Sequence, residues 1–341
     1  NIKIHSTAAL RLGDIAVGAT DTVAVTSDLG LSVQDAVTAG GLMTLQGKTG
    51  VHFAANTTAK TLEVLAGALN TYNQVITSES VTAGILTTTG NLTLRGKAIY
   101  DNNASGALKV DVTGGGSTLI IDSDGASGNV VITTGSALVL GDIKGTANQF
   151  VKISAVTTTL STSSVIETDG TLILEGDGVT ITENITAKAL TLHSGSNIGV
   201  ADGDTVLVVN DTKILTTTDG DLTLKSASIL DNGTGDINVA VVSTNSLVVD
   251  TDGGAGNVLI TAATGPLKLG SVTGLDADVI TIKTTSSTAN DITLGADITT
   301  SDITLTLDSS GSIVAVGADR NITVGNLNII AIEQFDLDAT N

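Results

Sequence analysis

Two short phrases hold the residues best placed to do chemistry. "DSDG" (122–125) and "DTDG" (250–253) each set two carboxylates two positions apart, ahead of a glycine. Tight loops use that spacing to present oxygen ligands to a hard cation. Asp122, Asp124, Asp250 and Asp252 are therefore the candidate metal ligands, and calcium is the cation they would take. The "DGD" turns at 202–204 and 219–221 are weaker versions of the pattern. The competing reading is an Asx turn, where the same side chains bond their own backbone. "GGAGN" (253–257) opens like a glycine-rich calcium repeat, but Val258 stands where that repeat needs its ligating aspartate. No other cofactor is indicated.

Other chemistry is poorly supplied. Gly47-Lys48-Thr49 suggests a phosphate loop, yet Leu42 occupies the position that needs the first glycine, so a strand ending in a turn is the better reading. His5, His52 and His193 have no ligand spacing between them and are expected at surface or strand-end positions. There is no cysteine and no G-x-S-x-G elbow. A glycan-cleaving enzyme would need paired carboxylates and aromatic platforms. With two Tyr, three Phe and no Trp, and with most acids in turns, that class is the weakest, and the chain is expected not to be an enzyme.

The elements that would carry such residues are short and alike. Apolar-x-apolar cores recur from Leu92-Thr93-Leu94 through Val110-Asp111-Val112, Leu119-Ile120-Ile121 and Val130-Val131-Ile132 to Ile303-Thr304-Leu305 and Ile322-Thr323-Val324. Alternation at period two puts both apolar residues on one face of a strand and the middle residue on the other. Gly, Asp, Asn and Ser fill the gaps with turn chemistry, and no segment reads as an amphipathic helix.

A larger repeat lies over these. "ILTTTGNLTLRGKAIYDN" from Ile85 returns as "ILTTTDGDLTLKSASILDN" from Ile214, an offset of 129. "DSDGASGNVVITT" (122–134) returns at 250–262, "LVLG" (138–141) as "LKLG" (267–270), and "NTTAKTLEV" (56–64) as "NITAKALTL" (184–192). Blocks of constant size over chemically bland residues indicate stacked structural units. Ig-like domains would show aromatic cores and proline-bearing linkers, whereas this chain has one proline. The expected fold is all-β, a right-handed parallel β-helix (β-solenoid) over 1–341. Its internal blocks would be 1–84 (partial and divergent), 85–213 and 214–341. At about 20 to 22 residues per coil, the chain would make about 16 coils.

"DGDLTLKSASI" (219–229) and "NDITLGADITTSDITLTLDSSGSI" (290–313) resemble the strand repeats of filamentous-haemagglutinin-type bacterial surface proteins, large β-helical adhesins and fibres. The resemblance runs from about residue 85 onward and implies a non-catalytic shaft. Nothing in the chain matches that family's amino-terminal secretion module.

Composition agrees with this reading. Acidic residues number 35 against 15 basic ones, for a net charge of −20. Nucleic acid is therefore not an expected partner, since its binding needs a basic footprint. No run approaches 18 apolar residues, so membrane insertion through a helix is not expected either. The chain opens at Asn1 without a basic or apolar leader, consistent with a removed signal or a piece of something longer. Thr runs at 87–89, 157–159 and 216–218 recur too irregularly for an ice-binding face, and the Asn-x-Ser/Thr sequons are about what chance supplies. The expected role is structural, at a microbial cell surface or in the extracellular space. The alternative is a filament, sheath or surface-layer subunit that polymerises with itself end to end, because no capping helix is evident at either terminus. The sequence names no receptor or glycan.

Overall fold

The computed structural model describes residues 1–68, 71–80, 82–101, 106–123, 128–146, 149–195, 206–210, 212–231, 236–242, 244–251, 257–274, 278–285, 290–300 and 303–338. Every regular element among them is a β-strand, and the strands stack in parallel as a β-solenoid of about 13 turns. Two compact units divide the chain, Asn1–Thr171 and Leu172–Asn341.

In the first unit, one coil is three short strands joined by corners. The opening coil is β1 (Ile2–Ser6), β2 (Leu10–Leu12) and β3 (Ile15–Val17). β4 (Val23–Ser27), β5 (Leu31–Val33) and β6 (Val37–Gly47) come next. Then come β7 (Val51–Phe53), β8 (Thr57–Ala66), β9 (Val75–Ser78) and β10 (Leu86–Thr88). The next coil is β11 (Leu92–Arg95), β12 (Ala98–Asp101) and β13 (Leu108–Val112). β6 and β8 each turn a corner without breaking, so their two ends lie on different faces.

Register is read directly along a face. Ile2, Val23, Met43, Leu62, Leu92 and Leu119 stand one above another, so successive coils take 21, 20, 19, 30 and 27 residues. This corrects the expected constant coil: the first three steps keep it, and the next two lengthen at their corners. That is why the turns number about 13 where about 16 were expected. One lengthened corner comes after β8 and begins at Gly67, which has a φ of 133° and where a Cβ would strike the Thr71 carbonyl oxygen.

The alternating pattern fixes which side chains enter. Val23 and Val25, Leu62 and Val64, and Leu92 and Leu94 are essentially fully buried, and their intervening neighbours face out. The last inward position of many strands is a hydroxyl that satisfies a corner carbonyl. Ser27 Oγ donates to Ala8 O at 2.8 Å, and Thr88 Oγ1 donates to Gly90 O at 2.7 Å. Such bonds let a narrow core turn sharply without leaving buried backbone oxygens unpaired.

The second unit repeats the plan. Leu190, Leu222, Leu247 and Leu269 stack along one face, and Ile280, Leu305 and Leu327 along another. Each unit contains the same bulge. In the first, Leu119 pairs with Leu140 but Ile121 with Ile143; in the second, Leu247 pairs with Leu269 but Val249 with Val272. The extra residue falls in "LVLG" and "LKLG", the phrase that the sequence repeats. A bulge bends a strand and re-aims the side chains beyond it, so the same words serve the same corner.

Candidate functional site

The paired aspartates are the first residues to place. Asp124 and Asp252 lie outside the described residues. Asp122 and Asp250 face outward on strands and are engaged with cations of the preceding coil. Asp122 sits opposite Arg95 in register, with Arg95 Nε 3.8 Å from its carboxylate. Asp250 sits opposite Lys225, whose Nζ is 3.0 Å away, and it also accepts from Thr273 Oγ1 at 2.9 Å. Two repeats thus use the carboxylate for the same cross-coil rung. Among the described residues no group of three or more His, Cys, Asp or Glu is gathered to hold a metal ion.

Arg95 is further fixed by Tyr72. Its guanidinium lies 5.3 Å from the ring centroid, and Nη1 donates to the phenolic oxygen at 3.3 Å. That hydrogen bond, with the charges of Tyr72, Glu63 and Asp122 behind it, holds the guanidinium pKa above its usual value. In the first unit the outward row continues Arg95, Asp122, Lys144, Glu167, with the sign alternating at each coil.

Gly47-Lys48-Thr49 is the end of β6 and its turn, as its reading as a strand end implies. Lys48 Nζ contacts the Asp28 carboxylate at 2.6 Å. That bond, with the nearby Lys48 and His5 charges, lowers the Asp28 pKa.

The three histidines part company. His5 faces Asp28 at 3.6 Å. His193 takes the strand-end alternative: it is the penultimate residue of the strand Ile185–Ser194, lies opposite Lys225 and is only 4% exposed. His52 belongs to a polar row built by register on the second face of the first unit. Arg11 of β2 pairs with Ser32 of β5, Ser32 with His52 of β7, His52 with Thr77 of β9, and Thr77 with Tyr100 of β12. All five point outward because the residues beside them, such as Leu12, Val33, Phe53, Ile76 and Ile99, fill the core. The His52 ring is held at both nitrogens: Nδ1 lies 3.0 Å from Thr77 Oγ1 and Nε2 lies 3.2 Å from Glu79 Oε2. Beside it runs a groove of about 350 Å³, lined by Arg11, Ser32, His52 and Thr77 with apolar flanks from Leu10, Val51 and Val75.

No protein-family model, no curated protein and no solved structure matches this chain. Its function must be argued from its own residues.

What can the row do? Hydroxyl, imidazole and carboxylate stand in the order that activates a nucleophile. However, β5, β7 and β9 each pair with a strand on both sides, so their amides are spent in the ladder rather than aimed at a developing oxyanion. The arrangement is suited to holding a ligand against a fixed imidazole. Sequence reading missed it because no two of the five residues are closer than 20 positions. Only knowledge of the coil lengths aligns them.

Proposed function

We propose that this chain is a non-enzymatic structural protein of a microbial cell surface, the shaft of an adhesin or of an extracellular fibre. The observation that carries the reading is the in-register stacking within each unit. Inward Leu, Ile and Val bear on their counterparts one coil away, and every such step is also a parallel backbone ladder. In this kind of architecture stability is close to a sum of neighbour terms, so repeating a block adds length without a new core. The resemblance of 219–229 and 290–313 to filamentous-haemagglutinin strand repeats, and the acidic, Thr-rich exterior, support a surface setting.

A second reading, a subunit that polymerises with itself end to end, is favoured by one feature. Large apolar side chains gather exposed near one end of the second unit: Leu327, Ile330 and Phe335 are 40 to 51% exposed and Ile332 is 74% exposed. A further coil or another copy would cover them.

Gold labelling of intact producing cells, joined to negative-stain microscopy of the purified chain, tests both readings. Label on intact cells and discrete purified particles are the expected result. Label seen only after permeabilisation overturns the surface reading. Purified fibres far longer than one chain replace the shaft with the filament.

A further inference from the structure

We propose that a second copy of this chain docks its opening coil, β1–β3, onto the last described coil of the second unit, in one fixed register. This docking rests on the second of the two readings above and gives that reading its partner surface, its register and its charge pairing.

Both surfaces are uncovered. The last coil is built from the strands Ile322–Thr323, Asn326–Ala331 and Phe335–Asp336. Among the described residues each of them pairs on one side only, with a strand of the coil before. Leu327 and Phe335 stand in the inward rows of the fully buried Leu305 and Ile313, yet they are 40% and 46% exposed. In the first unit β1, β2 and β3 pair only with β4, β5 and β6. Ile2, Ile4 and Leu10 stand in the rows of the buried Val23, Val25 and Leu31 but are only half-buried themselves. All these ladders are parallel, so one surface lacks a following coil and the other a preceding one.

The corners of the two coils match. "IKIHSTAAL" (2–10) and "LNIIAIEQF" (327–335) both place eight residues from the first inward side chain to the one past the corner. Their neighbours, "VAVTSDLGL" (23–31) and "LTLDSSGSI" (305–313), keep the same count. Ser6, Ser27 and Ser309 hold this corner alike, each Oγ accepting from the amide two residues on at 3.2 Å. Docking therefore sets Ile2 on Leu327, Ile4 on Ile329, Ser6 on Ala331 and Leu10 on Phe335. The other two rotations would set the six-residue strand Asn326–Ala331 against β2 or β3, which have three residues each.

Charge selects the occupant. Residues 1–17 carry Lys3 and Arg11 against Asp14, a net +1 in a chain of −20. Residues 318–338 carry Asp319, Glu333, Asp336 and Asp338 against Arg320, a net −3. The register that stacks Leu10 on Phe335 also puts Arg11 beside Asp336, the same rung that Arg95 makes with Asp122. The Asp336 oxygens accept from Gln334 Nε2 and from the Asp338 amide, one bond each, and a carboxylate oxygen has room for two. One coil is a small patch, so the junction is weak and forms in concentrated rather than dilute protein.

The test is sedimentation velocity of the purified chain from about 5 μM to about 500 μM, with cysteine pairing to read the register. Head-to-tail contacts of this kind do not close, so mass should climb with concentration past the dimer. The chain has no cysteine of its own. Asn328→Cys with Lys3→Cys should give disulfide-linked multimers on oxidation, because the two outward positions would lie about 4.8 Å apart. Asn328→Cys with Ala16→Cys reports the rotation onto β3 and should link about tenfold less. Arg11→Glu and Asp336→Lys should each raise the concentration needed for assembly about fivefold, and the two together should restore it. Far-UV circular dichroism of each variant separates lost docking from lost fold. A monomer at every concentration, or a dimer that grows no further, overturns the second reading and this docking together. Open-ended assembly in which Lys3→Cys links no better than Ala16→Cys, or in which the double exchange restores nothing, overturns the docking and leaves that reading standing.

Discussion

Leu94→Ala and Leu224→Ala make a matched pair that tests how the coils hold together. Both leucines are fully buried and occupy corresponding places in the repeated phrase. Leu94 stacks between Val64 and Ile121, and Leu224 between Leu192 and Val249. Each substitution removes three carbons, for a transfer loss of roughly 2.4 kcal/mol at ~0.8 kcal/mol per methylene. The cavity adds to this because the flanking side chains are tied to ladders above and below and cannot collapse into it. About 3 kcal/mol is expected for each, and the two values should agree within about 1 kcal/mol. The chain lacks Trp, so urea unfolding is best tracked by far-UV circular dichroism. Hydrogen exchange then locates the damage. For Leu224→Ala, protection should fall across 190–194, 222–226 and 247–251 and hardly at all at 304–309, because coupling runs between neighbouring coils. A cost below about 1 kcal/mol, or a uniform loss of protection across the second unit, would refute nearest-neighbour stacking as the source of stability.

Two further outcomes rest on single residues. Lys48 lowers the Asp28 pKa below its unfolded value of 3.8. The pair therefore stabilises the fold above that value and loses its effect as pH falls through the lower folded pKa. Lys48→Met should reduce the urea midpoint slightly at neutral pH and not at all in strong acid; an equal difference at both would rule out the charge as its cause. Gly84 sits at a φ of 84°, and a Cβ there would press on the Phe53 carbonyl oxygen. Gly84→Ala should cost about 2 kcal/mol or more and expose 75–88 to exchange first, whereas a neutral result would mean that the turn has another conformation to hand.

The fold was legible because its core obeys one rule. The apolar-x-apolar triplets from Leu92-Thr93-Leu94 to Ile303-Thr304-Leu305 put their outer residues inside, as period two requires. Ile322 and Val324 share the pattern but remain half-exposed, since alternation fixes direction and not cover. Coil length was not legible. Corners of different size, such as the one beginning at Gly67, leave no trace in hydrophobic periodicity. A row across the sheet depends on the sum of all the corners before it, so Arg11, His52 and Tyr100 look unrelated in sequence. The aspartate pairs were visible for the opposite reason, being local. What locality could not show is that Asp122 and Asp250 face the cations of the coil before them.

The repeated phrase also separates support from function. Below the bulge, Ser123 Oγ donates to the buried Gln149 amide oxygen at 2.7 Å, and that amide nitrogen donates to Lys97 O at 2.9 Å. In the second unit Thr251 Oγ1 donates at 2.7 Å to Asp278, which is fully buried. The residues differ, yet the hydroxyl and its acceptor keep their places, so the corner is what the repeat preserves. The polar row behaves otherwise. Arg11, Ser32, His52 and Thr77 all lie before residue 85, outside the repeated phrase, and Tyr100 becomes Leu230 where the phrase returns. A scaffold can be duplicated because each coil asks only for a similar neighbour. The outward row is a particular set of side chains at particular coils, and the returning phrase does not repeat it.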